Sequence, residues 1–288
     1  MSKISIFGLG LMGRPMAHRL MDYGFAVQGW NRSPLDSSLT KGIKLAPSLA
    51  QAAQSQVCLL MLADSTAVDA VLEQLDPLLQ AGQLVVDMGS SDPARSKQHA
   101  DRLADRRIGW VDAPVSGGPE GVAAGSLAIM VGGEQKYVHL VYTILDALGS
   151  NVTHVGGPGA GHKVKAINQL IVALTIEAVA EGLTLAEASG INPRQVQQDL
   201  RGGFADSKIL QIHGRRMIER SYKPGGRAVT QLKDLRLAQA LAKAADIALP
   251  HLDDIAARYA RLVNEGHGHL DHSALHLLLQ DKTTKISS

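Results

Sequence analysis

Three glycines, Gly8, Gly10 and Gly13, stand at Gly-x-Gly-x-x-Gly spacing directly after the apolar run Ile4 to Phe7. The spacing alone is a weak signal. Between a strand and a helix it gains a mechanism: Gly8 makes a tight turn, Gly10 admits a close backbone approach, and Gly13 lets the helix lie against the strand. The unpaired N–H groups of the helix start then suit a pyrophosphate. Phe7-Gly8-Leu9-Gly10-Leu11-Met12-Gly13 therefore reads as a dinucleotide loop, with an ordinary turn as the plain alternative. At the end of the next apolar run, where an acidic residue would hold a ribose 2′-hydroxyl, the chain has Trp30-Asn31-Arg32-Ser33. Arg32 can pair with a 2′-phosphate, and Asn31 and Ser33 can donate hydrogen bonds to it. That predicts NADP(H) in preference to NAD(H), against the simpler reading of Arg32 as a solvated surface residue.

A second group with chemical potential is Ser116-Gly117-Gly118, which follows Asp112-Ala113-Pro114-Val115. Adjacent glycines expose successive N–H groups, and with the Ser116 hydroxyl they can cradle a carboxylate. Read alone, such a loop is more often a turn. A third group lies in Gly159-Ala160-Gly161-His162-Lys163-Val164-Lys165-Ala166-Ile167-Asn168-Gln169, where Lys165, Asn168 and Gln169 fall within about one helical turn. A lysine at an apolar helix start either snorkels to solvent or serves a purpose.

Elements must exist to position these residues. The first half alternates short apolar runs (Ile4 to Phe7, Ala26 to Trp30, Val57 to Leu62, Leu84 to Met88, Trp110 to Asp112) with helical stretches such as Gly13 to Asp22 and Thr66 to Leu79. That alternation predicts a doubly wound α/β arrangement with a parallel sheet, and Ser65 is placed to cap the second stretch. From His162 to Ser189 there is no proline and a single glycine, Gly182, which predicts one long helix. Its apolar residues wrap around much of the circumference, the pattern of a helix covered on several sides. Further helices are expected at Pro193 to Leu200, Ser207 to Arg220, Thr230 to Ala245 and His251 to Glu265.

A net charge of +2 from 29 basic and 27 acidic residues gives no field for nucleic acid or an anionic membrane, so an anionic ligand needs a local site. The single cysteine, Cys58, sits in Val57-Cys58-Leu59-Leu60-Met61 and reads as a buried thiol. The N-terminal run fits a strand and turn better than a signal peptide, and no later stretch reaches about 18 uncharged apolar residues, so a cytoplasmic enzyme is expected.

Four ordered motifs, FGLGLMG at Phe7 to Gly13, DAPVSGG at Asp112 to Gly118, GAGHKVKAINQ at Gly159 to Gln169 and KDLRLA at Lys233 to Ala238, make nearly the whole chain resemble the 3-hydroxyacid dehydrogenases. That family includes 3-hydroxyisobutyrate dehydrogenase and tartronate semialdehyde reductase. The resemblance implies an N-terminal Rossmann domain, residues 1–161, and an all-helical C-terminal domain, residues 162–288, joined by the long helix with the active site between them. It implies that Ser116, Gly117 and Gly118 bind a substrate carboxylate and that Lys165 is the catalytic acid or base. Asn168 would bind a substrate hydroxyl or orient the lysine, while Gln169 leaves open which of the two makes that contact. Leu62, Ala63 and Ser90 would lie near the nicotinamide ribose, and Lys233 and Asp234 would line the site near the cofactor. The substrate would be a small 3-hydroxy acid or its aldehyde acid, foremost tartronate semialdehyde, with 3-hydroxyisobutyrate, 4-hydroxybutyrate or threonate as alternatives. A non-catalytic NADP-binding sensor is the reading from another class, disfavoured by the retained lysine. A homodimer or homotetramer is expected, with no membrane or nucleic-acid partner. The histidine-rich stretch Gly266 to His276 reads as a packed tail with no metal, since no Cys or carboxylate constellation completes a site.

Overall fold

The computed structural model describes residues 3–283, and the chain divides into two compact units, 1–165 and 166–288. The first unit contains, in order, β1 (Lys3–Phe7), α1 (Gly13–Asp22), β2 (Ala26–Trp30), β3 (Lys44–Leu45), α2 (Leu49–Ala52), β4 (Val57–Leu60), α3 (Ser65–Leu75), β5 (Leu84–Asp87) and α4 (Pro93–Ala104). It continues through β6 (Gly109–Asp112), β7 (Val115–Ser116), α5 (Gly118–Ala124), β8 (Ala128–Gly133), α6 (Gln135–Leu148) and β9 (Asn151–Gly156).

The strands form one sheet in the order β3-β2-β1-β4-β5-β6-β8-β7, with β9 on β8. From β3 to β6 all pairings are parallel; β8 runs antiparallel to β6 and β7, and β9 runs parallel to β8. Strands β4, β5 and β6 are buried along their whole length. Helices on both faces require that, and it explains why these strands read as unbroken apolar runs. The order reverses between β1 and β4: from β1 the chain builds outward through β2 and β3, then crosses back. Ligands of open α/β sheets bind beyond the carboxyl ends of the strands at such a point.

The expected cap of α3 is corrected. The Asp64 carboxylate, not Ser65, accepts the Ala67 N–H at 2.8 Å. The Ser65 hydroxyl instead accepts the Asp92 N–H at 2.8 Å, tying the start of α3 to the start of α4.

Helix α7 (Ala160–Ala188) begins in the first unit and supplies the spine of the second, followed by α8 (Pro193–Asp199), α9 (Lys208–Ile218), α10 (Ala228–Ala244), α11 (Pro250–Leu262) and α12 (Leu277–Thr283). One face of α7, with Ala173, Ile176, Ala180 and Leu183, joins a core that includes Leu235, Tyr259, Leu262 and Leu275. The expectation that α7 is covered on several sides is not met within this chain, because Ile167, Ile171 and Leu185 are 50%, 60% and 68% exposed. Among the described residues α7 is the one helix long and apolar enough, by length and composition alone, to cross a membrane. Its core-facing side accounts for part of that apolarity.

Candidate active site

Beyond the carboxyl ends of β1 and β4 the first unit has a groove lined by Gly8, Gly10, Asn31, Arg32, Ser33, Leu62 and Ala63, all singled out from the sequence. Trp30, Met61, Ala67 and Val71 complete the lining and were not anticipated. The three glycines are required for different reasons. Gly8 has φ of +100°, and a Cβ there would lie 2.3 Å from the Met61 carbonyl oxygen. At Gly13 a Cβ would lie 1.9 Å from the Gly8 carbonyl oxygen, so this glycine lets α1 sit on the turn. At Gly10 a Cβ would meet nothing within 4 Å. Only a ligand could require a glycine at that third position.

Leu9 is buried and lies beneath Gly29, so its backbone alone can face a ligand; Leu11 is exposed and Met12 packs against the sheet core. Asn31 stitches the turn: its Oδ1 accepts the Leu9 N–H at 3.1 Å and its Nδ2 donates to the Ser33 carbonyl at 2.8 Å. Arg32 and Ser33 are exposed at the rim. Ser90, half-buried after β5, lies outside the groove lining. Cys58 lies in the sheet interior, where burial pushes its thiol up to about 12 and removes it from nucleophilic chemistry.

Ser116 ends β7, and Gly117 and Gly118, with φ of +133° and +66°, turn the chain into α5. Two successive left-handed residues are costly for anything but glycine.

The first turn of α7 is gripped by carboxylates from the sheet. Asp112, at the end of β6, accepts the Gly159 N–H at 2.7 Å on Oδ1 and the His162 N–H at 3.1 Å on Oδ2. Asp87, beside it at the end of β5, accepts from the Ser91 hydroxyl at 2.7 Å, and its Oδ2 lies 3.2 Å from His162 Nε2. Burial works to raise the Asp87 carboxyl, but the contacts with His162, Ser91 and Gly89 prevail and hold it below its ordinary range. These anchors escaped the sequence reading; the motif residues Asp112 and His162 were visible, but their pairing across some 50 residues was not. One turn on, Lys165 is only 8% exposed.

In the second unit Asn168 Nδ2 donates to Gln169 Oε1 at 2.9 Å, and Gln169 Nε2 donates to Asp234 Oδ2 at 2.8 Å. Lys233 Nζ pairs with Asp234 Oδ1 at 3.0 Å. Within the histidine-rich tail Asp271 is fully buried, and Arg216, the Ser273 hydroxyl and the Gly225 N–H donate to it at 2.7, 2.6 and 2.9 Å. His213, Asp271 and His272 bring possible ligand atoms within 4.8 Å of one another. The expectation that no carboxylate completes a histidine cluster there is thus corrected: Asp271 groups with the two histidines, and His213 comes from α9, distant in sequence.

A glycine turn at the reversal of a parallel sheet, an arginine in place of an acidic residue beside it, and a buried lysine opening a long helix define a nicotinamide-dinucleotide oxidoreductase. Comparison with known proteins narrows the class. Residues 3–156 match the NAD binding domain of 6-phosphogluconate dehydrogenase, and residues 159–279 match the NAD-binding region of NADP-dependent 3-hydroxyisobutyrate dehydrogenase. The 2-hydroxy-3-oxopropionate reductase of Escherichia coli (strain K12) is 38% identical over 95% of each chain. The 2-(hydroxymethyl)glutarate dehydrogenase of Eubacterium barkeri is 31% identical over 86% of this chain and 85% of that one. A solved structure of Mycobacterium tuberculosis 3-hydroxyisobutyrate dehydrogenase with L-serine superposes with a TM-score of 0.85, at 27% identity, over 97% of this chain and 99% of that one. The chain belongs to the 3-hydroxyisobutyrate dehydrogenase family, enzymes that act on CH–OH donors with NAD(P).

Proposed function

We propose that this enzyme is an NADP(H)-dependent reductase of tartronate semialdehyde, with residues 1–161 as the cofactor domain and 162–288 as the helical domain. The observation that carries the chemistry is the buried Lys165, held one turn beyond the Asp112 and Asp87 anchors. The choice of substrate leans on the likeness to the Escherichia coli reductase across both units. NADPH is favoured because Arg32 stands exposed where a carboxylate would select the 2′-hydroxyl.

When bound, NADPH would supply a hydride for the aldehyde carbon. Gly8, Leu9, Gly10, Leu11, Met12 and Gly13 would offer backbone to its pyrophosphate. Arg32, Asn31 and Ser33 would hold the adenosine end, and Leu62, Ala63, Ser90 and Lys233 the nicotinamide end. Ser116 Oγ and the N–H groups of Gly117 and Gly118 hold the substrate carboxylate, which fixes the carbonyl for attack. As an ammonium, Lys165 donates a proton to the aldehyde oxygen as the carbonyl is reduced; in oxidation the neutral amine removes the hydroxyl proton. Asn168 binds the neighbouring hydroxyl. The uncovered flank of α7, with Ile167, Ile171 and Leu185, supports assembly with a second copy of the chain.

Lys165→Ala tests the assignment. Turnover of tartronate semialdehyde with NADPH falls by at least about 100-fold, while NADPH affinity stays within a factor of two. A variant that turns over like the parent overturns the role of Lys165. A parent enzyme that binds NADPH tightly and reduces neither tartronate semialdehyde nor related semialdehydes overturns the function.

A further inference from the structure

The second unit contains an unbroken file of polar side chains that the reaction as described does not use. Gln169 Nε2 donates to Asp234 Oδ2 and to Gln231 Oε1, at 2.8 and 3.0 Å. Gln231 Nε2 donates to the backbone carbonyl of Gln169 at 2.9 Å, and its Oε1 also lies 3.2 Å from His272 Nδ1. His272 Nε2 lies 3.3 Å from His213 Nε2, and His213 Nδ1 lies 3.2 Å from Asp271 Oδ1. Gln169, Gln231, Asp234 and Asp271 are all buried.

The order of donors along this file is forced. A carboxylate accepts only, so Gln169 must turn its NH2 toward Asp234 and its oxygen toward Asn168. Asn168 must then meet that oxygen with Nδ2, which turns its own carbonyl oxygen away from Gln169. A backbone carbonyl also accepts only, so Gln231 must direct its NH2 to Gln169 O and its oxygen to Gln169 Nε2 and His272 Nδ1. His272 therefore carries its proton on Nδ1. Flipping any one amide would bury donor against donor or acceptor against acceptor, at the cost of an unsatisfied polar group.

We propose that Gln231 and His272, acting with Asp234, are positioning residues that, through Gln169, hold Asn168 with its carbonyl oxygen as the acceptor offered to substrate, and so make the enzyme selective for aldehyde acids bearing a hydroxyl on the adjacent carbon. The inference rests on the contact between Asn168 and substrate proposed above. A methyl group in place of that hydroxyl leaves the enforced acceptor without a donor, and sites built to bind a hydroxyl reject analogues that lack it far more strongly than apolar pockets discriminate by size.

The test is the ratio of kcat/KM, with NADPH, for tartronate semialdehyde over methylmalonate semialdehyde, measured in the parent, Gln231→Leu, Gln231→Glu and His272→Leu. Melting temperature and NADPH affinity are measured alongside. The parent favours the hydroxyl-bearing substrate by at least about 100-fold. In Gln231→Leu the ratio falls at least tenfold, while NADPH affinity is kept. Gln231→Glu keeps an acceptor for Gln169 Nε2 and His272 Nδ1 but sets its second carboxylate oxygen against the Gln169 backbone carbonyl in place of the amide donor, so the ratio falls there too. If Gln231→Leu does not fold, the fall in His272→Leu decides. An unchanged ratio in a folded variant, equal losses on both substrates, or a parent without preference overturns the proposal. None of these touches the underlying function, which is decided by whether the parent reduces tartronate semialdehyde or a related semialdehyde with NADPH.

Discussion

Replacing Gly13 by alanine and, separately, Gly10 by alanine divides the glycine turn into its structural and its ligand-binding parts. At Gly13 the new methyl would start 1.9 Å from the Gly8 carbonyl oxygen, a backbone atom that cannot rotate away. Helix α1 must therefore recoil from the turn, and overpacking of this kind costs about 1–3 kcal/mol. In a unit of this size that lowers the Tm by about 3–10 °C. A displacement on the order of an ångström at the helix start also costs cofactor affinity or rate on the order of 100-fold. At Gly10 the methyl meets nothing within 4 Å, so stability stays within about 0.5 kcal/mol of the parent. If the pyrophosphate lies against that backbone, affinity for NADPH still falls at least tenfold, about 1.4 kcal/mol. Fluorescence titration with NADPH and thermal unfolding, on both variants, read out the two effects. Unchanged NADPH affinity in Gly10→Ala refutes the placement of the pyrophosphate. Unchanged stability in Gly13→Ala refutes the packing argument.

Arg32→Glu places a carboxylate at the end of β2 and, by loss of a charge-assisted contact worth about 1.5–3 kcal/mol, lowers NADPH efficiency roughly 10- to 150-fold while sparing NADH; parallel kinetics with the two cofactors check it. Asp271→Ala leaves Arg216 facing a void in place of its 2.7 Å partner, and urea unfolding at pH 7 shows a loss of about 3–5 kcal/mol. Burial works to raise the Asp271 carboxyl, but the hydrogen bonds from His213 and Ser273 and the nearby His272 hold it well below the usual carboxylate range. Its contribution is therefore present in full above the unfolded carboxylate pKa of about 3.9 and declines as pH falls below it. The gap between parent and variant in urea midpoint narrows at pH 3 relative to pH 7; a gap that widens on acidification contradicts the sign. Cys58, whose burial pushes its thiol up to about 12, stays unreactive to a thiol reagent until urea unfolds the chain.

Much of the sheet was legible because strands covered on both faces write themselves as apolar runs. Ala26–Trp30 and Gly13–Asp22 fall where their patterns place them. Strand β9 carries no such mark: its residues are exposed or half-buried, and its two valines, Val152 and Val155, stand three positions apart and so break the alternation that would signal a core face, although Val152 packs against the sheet core. The cap of α3 was misplaced by one residue because Asp64 and Ser65 are both competent, and the choice turned on Asp92, which is distant in sequence and takes Ser65 for itself. The cofactor groove was visible through its motif, while Trp30 and Met61 enter it as the ends of strands rather than as motif members. The file through Gln169, Gln231 and His272 joins residues 41 and 62 positions apart, and neither glutamine differs in sequence from a solvated one.

The grip of Asp112 on Gly159 and His162 gives α7 a datum. Length added before that point, in Gly156-Gly157-Pro158, is absorbed as slack in the connection, and Lys165 keeps its heading. One residue added between His162 and Lys165 would swing the lysine by about 100° around the helix axis. Insertions on one side of this short stretch are thus silent, whereas on the other they erase the reacting amine.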